Sequence, residues 1–141
     1  EEYYPSSIQK ATTILWRKGL VKLSERNEGN VVELTEKGIK EILKYNFADL
    51  KIEKPKQWDG KWRIVLFDIP NKFRKQRVVL FQKLKDLGCF PLQESVFIHP
   101  YSLEKEIKFI REVLEIPRFV KYGLLEKVEN EDDLRRIYNL Q

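Results

Sequence analysis

The chain has 141 residues, 42% of them apolar and 35% charged, which is room for one medium domain or two small ones and far from a disordered composition. A single cysteine, Cys89, excludes an internal disulfide framework and a cysteine-rich zinc site, and a single histidine, His99, excludes paired-histidine metal motifs. Apolar runs such as Ile64 to Phe67 are too short to span a bilayer, so the expectation is a soluble, cytoplasmic chain with no membrane contact. Because it opens at Glu1-Glu2 and contains no methionine, it is read as less than a complete translation product.

The net charge of +5 is unevenly spread. Residues 1–57 carry 11 Lys/Arg against 9 Asp/Glu, whereas residues 61–85 carry 8 against the single Asp68. Glu126, Glu129, Glu131, Asp132 and Asp133 then make the far end acidic. A basic block of this density fits contact with a polyanion.

In chain order, Pro5-Ser6-Ser7 reads as a helix start, and Ile8, Ala11 and Leu15 recur at helical spacing until Gly19, where a left-handed cap needs no side chain. A helix over Ser7 to Lys18 is expected, with Ile8, Ala11 and Leu15 toward a core. Leu20 to Arg26 and Val31 to Leu34 read as two strands around the polar tip Asn27-Glu28-Gly29-Asn30. Thr35 offers a cap for a second helix with an Ile39, Ile42, Leu43, Phe47 stripe. Residues 51–60, lysine-rich and without apolar period, are taken as a linker.

The second half, residues 61–141, opens on a buried strand, Trp62 to Asp68, followed by Ile69-Pro70. A helix is predicted between Lys72 and Leu87, with Phe73, Leu80, Leu84 and Leu87 on one face, Arg77 on the same stripe and Gly88 at its end. Short strands at Cys89 to Gln93 and Ser95 to His99, a helix from Leu103 to Leu114, a strand within Phe119 to Val128 and a short helix at Asp132 to Tyr138 complete the reading. The fold class is α+β, with a ferredoxin-like β-α-β-β-α-β domain whose helices lie on one face of an antiparallel sheet.

The helix, hairpin, helix order of residues 1–50 matches the second half of a winged-helix domain, with the first helices absent. In such a domain the helix before the hairpin enters the major groove. With Ile8, Ala11 and Leu15 inward, Ser6, Gln9, Lys10, Thr13 and Arg17 form an acid-free row on the opposite face. Gln9 suits an adenine edge, Lys10 and Arg17 suit guanine or phosphate, and Ser6 and Ser7 suit a backbone phosphate at the helix start. Arg26, Asn27 and Asn30 are the candidate wing residues. Leu34-Thr35-Glu36-Lys37-Gly38 also resembles the junction between wing and helix in winged-helix transcription factors.

A second set of residues carries a wider resemblance: Trp58-Asp59-Gly60-Lys61-Trp62-Arg63, Phe67-Asp68-Ile69-Pro70, Arg74 and Arg77, Leu87-Gly88, Leu92-Gln93-Glu94-Ser95-Val96-Phe97 and His99-Pro100-Tyr101. Together they resemble the PaaX family of phenylacetate-pathway repressors, in which a winged helix precedes a ferredoxin-like domain similar to the small CRISPR-associated adaptation endonuclease. The resemblance implies a DNA-binding homodimeric transcriptional regulator, with double-stranded DNA as partner, the ferredoxin-like domain as dimerisation unit and no cofactor. Asp68 ends the first strand of that domain where the similar nucleases place a magnesium-binding acid.

Three functions follow in order. The first is the non-enzymatic regulator, with Asp68 structural, capping the turn into the helix or paired to Arg77. The alternative is a magnesium-dependent nuclease in which two copies of Asp68, catalytic and metal-binding, meet at a dimer axis. The third is a scaffold protein of the CRISPR-adaptation kind. His99 is expected to be structural and Cys89 buried, and Arg74, Lys75, Arg77, Lys83 and Lys85 are read as a secondary phosphate surface.

Overall fold

Two glycines and a threonine set the limits of the first elements. Helix α1 (Tyr3–Arg17) starts before the expected Ser7, because Pro5 falls in its first turn, where the backbone N–H has no helical partner to lose. It stops at Gly19, φ +77°, and the Leu20 N–H reaches back to the Leu15 carbonyl at 2.9 Å. The computed structural model describes residues 3–26 and 29–140, and the side chains of residues 3–9, 26 and 30 lie outside that description.

Strands β1 (Val21–Arg26) and β2 (Gly29–Leu34) pair antiparallel, Val21 opposite Leu34 and Arg26 opposite Gly29. Thr35 caps α2 (Glu36–Ala48): its hydroxyl oxygen accepts the Gly38 N–H at 3.1 Å and its hydroxyl donates to the Gly19 carbonyl at 2.6 Å. A Cβ on Gly38 would lie 2.0 Å from the Leu20 carbonyl oxygen, so only glycine lets α2 start against the turn between α1 and β1. These contacts belong to the first of two compact units, Glu1–Asp49 and Leu50–Gln141.

In the second unit, β3 (Trp62–Phe67) runs through a short 3-10 turn (Asn71–Phe73) into α3 (Arg74–Asp86), then β4 (Phe90–Gln93), β5 (Val96–His99), α4 (Glu104–Leu114), β6 (Val120–Leu125) and α5 (Glu131–Ile137). The sheet order is β4-β5-β3-β6, every neighbour antiparallel, the split β-α-β arrangement of a ferredoxin-like domain. Val65 lies opposite Phe97 and Phe67 opposite Val120, and this face is covered by α3 and α4 through Leu80, Leu84, Ile107 and Ile110, all fully buried. Each such side chain contributes about 1.5–3 kcal/mol by leaving water.

The opposite face is not bare. Trp62 and Ile98 are fully buried there against Leu134 of α5, with Trp58, Phe90, Leu125 and Tyr138 around them. The expectation of helices on one face holds for α3 and α4, the two helices of the ferredoxin-like pattern, and α5, which follows that pattern, packs on the other face. Tyr138 fastens α5 by donating its hydroxyl to the Gly88 carbonyl at 2.6 Å. Residues 51–60, read as a linker, are part of this unit, and Trp58 packs edge-on against Trp62 at 4.9 Å.

Candidate nucleic-acid interface and the clustered motif residues

Helix α1 has no Asp or Glu, and Lys10, Thr13 and Arg17 are all exposed on it. Seven residues separate Lys10 from Arg17, close to two full turns, so the two cations share one side with Thr13 between them. The expected core stripe is a different matter. Ala11 and Leu15 are exposed, Leu15 by 39%, because among the described residues of this unit only the hairpin and α2 are available to cover α1. The helix thus offers cations on one side and uncovered apolar side chains on another. Ser6, Ser7, Gln9, Arg26 and Asn30 fall among the side chains outside the description, and Asn27 is outside it altogether.

Asp68 follows β3 as an exposed residue whose backbone N–H donates to the Phe119 carbonyl at 2.9 Å. The expected pairing with Arg77 is not made. The guanidinium of Arg77 donates instead to the Ile69 carbonyl at 2.9 Å and to Asn71 Oδ1 at 3.2 Å. Ile69 is buried, so the chain folds back after Asp68 and presents carbonyl and amide oxygens to Arg77, while the carboxylate faces water. Nor does Asp68 cap the following turn, which starts at Pro70 without a side-chain cap. No group of three or more His, Cys, Asp or Glu able to hold a metal exists among the described residues. Lys83 leaves the phosphate surface proposed for α3, since it is buried beside Leu80 and Leu84.

Two of the motif segments, Trp58 to Arg63 and His99 to Tyr101, converge around Arg63, and the others do not. Its guanidinium meets both carboxylate oxygens of Asp59, at 2.9 and 2.7 Å, and donates to the Pro100 carbonyl at 2.8 Å. Asp59 Oδ1 also accepts the Lys61 N–H at 3.0 Å, an Asx turn made possible by Gly60 at φ +82°. The Arg63 hydrogen bond holds the Asp59 carboxyl below its ordinary range, and the same bond raises Arg63. Trp58 donates its indole N–H to the Lys61 carbonyl, and Arg135 stacks 4.8 Å above its ring. Trp62 donates to Glu131, which also accepts from Arg135; those two bonds, Arg135 first, lower the Glu131 carboxyl.

His99 lies in the same knot. Its Nδ1 accepts the Tyr101 N–H at 3.0 Å, and burial pushes its pKa down to about 4. Cys89 is buried and its thiol is pushed up to about 12. Both match their expected structural roles. The sequence reading does not anticipate the Asp59 and Arg63 clasp, though its signal is present as an acid and a base four residues apart across Asp-Gly. Beside the clasp lies an open cleft of about 360 Å³ whose charged lining mixes Glu53, Lys54, Asp59, Arg63, Lys105 and Glu106, so it selects neither anions nor cations.

A helix, hairpin, helix unit and a ferredoxin-like unit knotted at Arg63 define the class, and comparison with known proteins gives the family. Residues 55–136 match the family described as PaaX protein central Cas2-like domain, and the chain belongs to it. That span runs from the residues just before Trp58 into α5, so it contains the clasp. No curated protein matches the chain. Among solved structures, the uncharacterized protein Rv0674 from Mycobacterium tuberculosis is similar over 94% of this chain at 15% identity and a TM-score of 0.44. The chain spans 51% of the length of that structure. No helix among the described residues is long and apolar enough to cross a membrane.

Proposed function

We propose that this chain is a PaaX-like transcriptional regulator that binds double-stranded DNA as a homodimer in the cytoplasm. Membership of the PaaX family supports the class, and one observation carries the DNA reading: the acid-free side of α1 on which Lys10 and Arg17 are exposed together. In this reading α1 enters the major groove with Gln9, Lys10, Thr13 and Arg17 toward bases and phosphates; because α1 starts at Tyr3, Ser6 and Ser7 meet a phosphate from within its second turn and not at its start. Arg26, Asn27 and Asn30 of the hairpin follow the backbone as a wing. The ferredoxin-like unit supplies the two-fold axis, so the operator is roughly palindromic, with half-sites about one helical turn, roughly 34–36 Å, or a multiple of it apart.

The test is a fluorescence-anisotropy titration against a randomised duplex pool, single-stranded DNA and heparin, with magnesium or EDTA. Selective duplex binding is expected, and Lys10→Glu with Arg17→Glu should weaken it by at least about tenfold and flatten its salt dependence. Full affinity in that variant overturns the assignment of α1, and duplex binding no tighter than heparin binding favours the scaffold reading. DNA integrity on the same samples addresses the nuclease. Among the described residues Asp68 belongs to no group of three or more metal-ligating side chains; magnesium-dependent strand loss abolished by Asp68→Asn would replace the regulator with the enzyme.

A further inference from the structure

One exposed side of α3 carries Arg74, Lys75, Val78, Phe81 and Lys85, spaced three and four residues apart. Val78 is 58% exposed and Phe81 42%, and with Phe67, Arg77 and Glu94 they border a groove of about 330 Å³. Its floor is fixed: Phe81 packs edge-on against Phe97 at 5.2 Å, and Phe97 stacks on Phe67 at 6.1 Å. Lys85 Nζ stands 5.5 Å above the Phe81 ring. Among the described residues none of Arg74, Lys75 and Lys85 forms an ion pair. Glu94 is the one acid on the rim. The charged lining of the groove is Arg77 and Glu94, and the cations Arg74, Lys75 and Lys85 stand beside it on α3; this surplus of positive charge around an apolar centre suits an acidic protein surface with apolar anchors. A phosphate backbone would satisfy the cations and leave Val78 and Phe81 nothing to bury against.

The same unit displays the complement. Beside α5 a groove of about 460 Å³ is bordered by Leu92, Val128, Glu129, Asp133 and Ile137. Ile137 is 53% exposed; Glu126, Glu129 and Asp132 are exposed against Lys127, and Asp133 is ion-paired with Arg136 of its own helix. Phe97 faces α3 whereas Ile98, the next residue, faces α5, so the two grooves lie on opposite faces of one sheet and a chain cannot close them on itself.

We propose that the α3 groove is a docking surface for a second copy of this chain, which enters it with the acidic, apolar side of its α5. Such a contact joins different patches on opposite faces of the sheet, so two copies do not close it and it continues into larger assemblies, rings or open chains of copies. It is separate from the two-fold dimer proposed above and does not depend on DNA binding. The contact is steered by charge and weakens with salt.

Sedimentation velocity of the full chain without DNA tests it. Association that keeps growing with protein concentration is expected in about 0.1 M salt and should be lost in about 1 M, as the screening length falls from about 10 Å to about 3 Å. Lys75→Glu with Lys85→Glu, and separately Glu129→Lys with Asp132→Lys, should each weaken it by at least about tenfold, while an equimolar mixture of the two variants associates again because every junction between them pairs opposite charges. Val78→Ser should weaken association with all charges in place. Wild-type protein that stays at one or two copies at every concentration in the lower salt, or a mixture no more associated than its components, overturns the proposal. So does a Lys75→Glu, Lys85→Glu variant that loses duplex affinity and keeps its self-association, an outcome that gives the groove to DNA.

Discussion

His99 is held neutral by burial, and that has a definite pH signature. Its folded pKa of about 4 lies below the ordinary value of 6.5. Between those values the unfolded chain takes up a proton that the folded chain refuses, so stability is full above pH 6.5 and falls as the pH drops toward 4, by about 3 kcal/mol in all. Urea unfolding at stepped pH should show that loss, and His99→Gln should flatten it within the window; an unchanged slope in the variant would place the titration elsewhere. The depressed Asp59 carboxyl acts in the same direction, its contribution being present above the ordinary carboxylate range and lost as the pH falls through the lowered value. Asp59→Asn should cost about 1–2 kcal/mol, more than an exposed pair, because Arg63 is only 13% exposed and is left with the Lys61 and Pro100 carbonyls. Cys89, buried and with its thiol raised, should react with a thiol reagent only as fast as the unit opens, and rapid labelling of native protein would contradict that.

At the scale of elements, local punctuation in the sequence is informative because its physics is local. Gly19 stops α1, Thr35 caps α2 and the hydrophobic periods of β3, α3 and α4 match the structure, since each depends on residues within a turn or two. What the periods leave out is decided by partners distant in sequence. Whether Leu15 is covered depends on what else packs on α1, and the side of the sheet taken by α5 depends on Trp62 and Ile98 together with Tyr138. Arg77 illustrates the same limit, because its partners are a backbone carbonyl and an amide that no charge pattern indicates. Of the candidate DNA-contacting row, composition discloses the lack of acids, and the structure adds that Lys10, Thr13 and Arg17 are exposed. Gly38→Ala tests the tightest of these local devices: a methyl group 2.0 Å from a carbonyl oxygen forces α2 to shift, at about 1–3 kcal/mol.

For the whole molecule, two compact units imply two centres of stability. Calorimetry of Gly38→Ala should lower the transition of the first unit and leave the second in place. Leu134→Ala should do the reverse, at about 2–4 kcal/mol, because it empties the contact of α5 with Trp62 and Ile98. If both substitutions moved one common transition, the units would be unfolding as a single body.

The placement of the tryptophans turns this architecture into an optical instrument. Trp16 is exposed on α1, whereas Trp62 is sealed beneath α5 with its indole N–H on Glu131. The half-buried Trp58 packs on Trp62, so the blue side of the emission follows the docking of α5, while Trp16 adds a red contribution from the first unit. Loss of blue emission with a matching gain on the red side, in protein carrying Trp16→Phe, would mark the moment α5 lifts from the sheet.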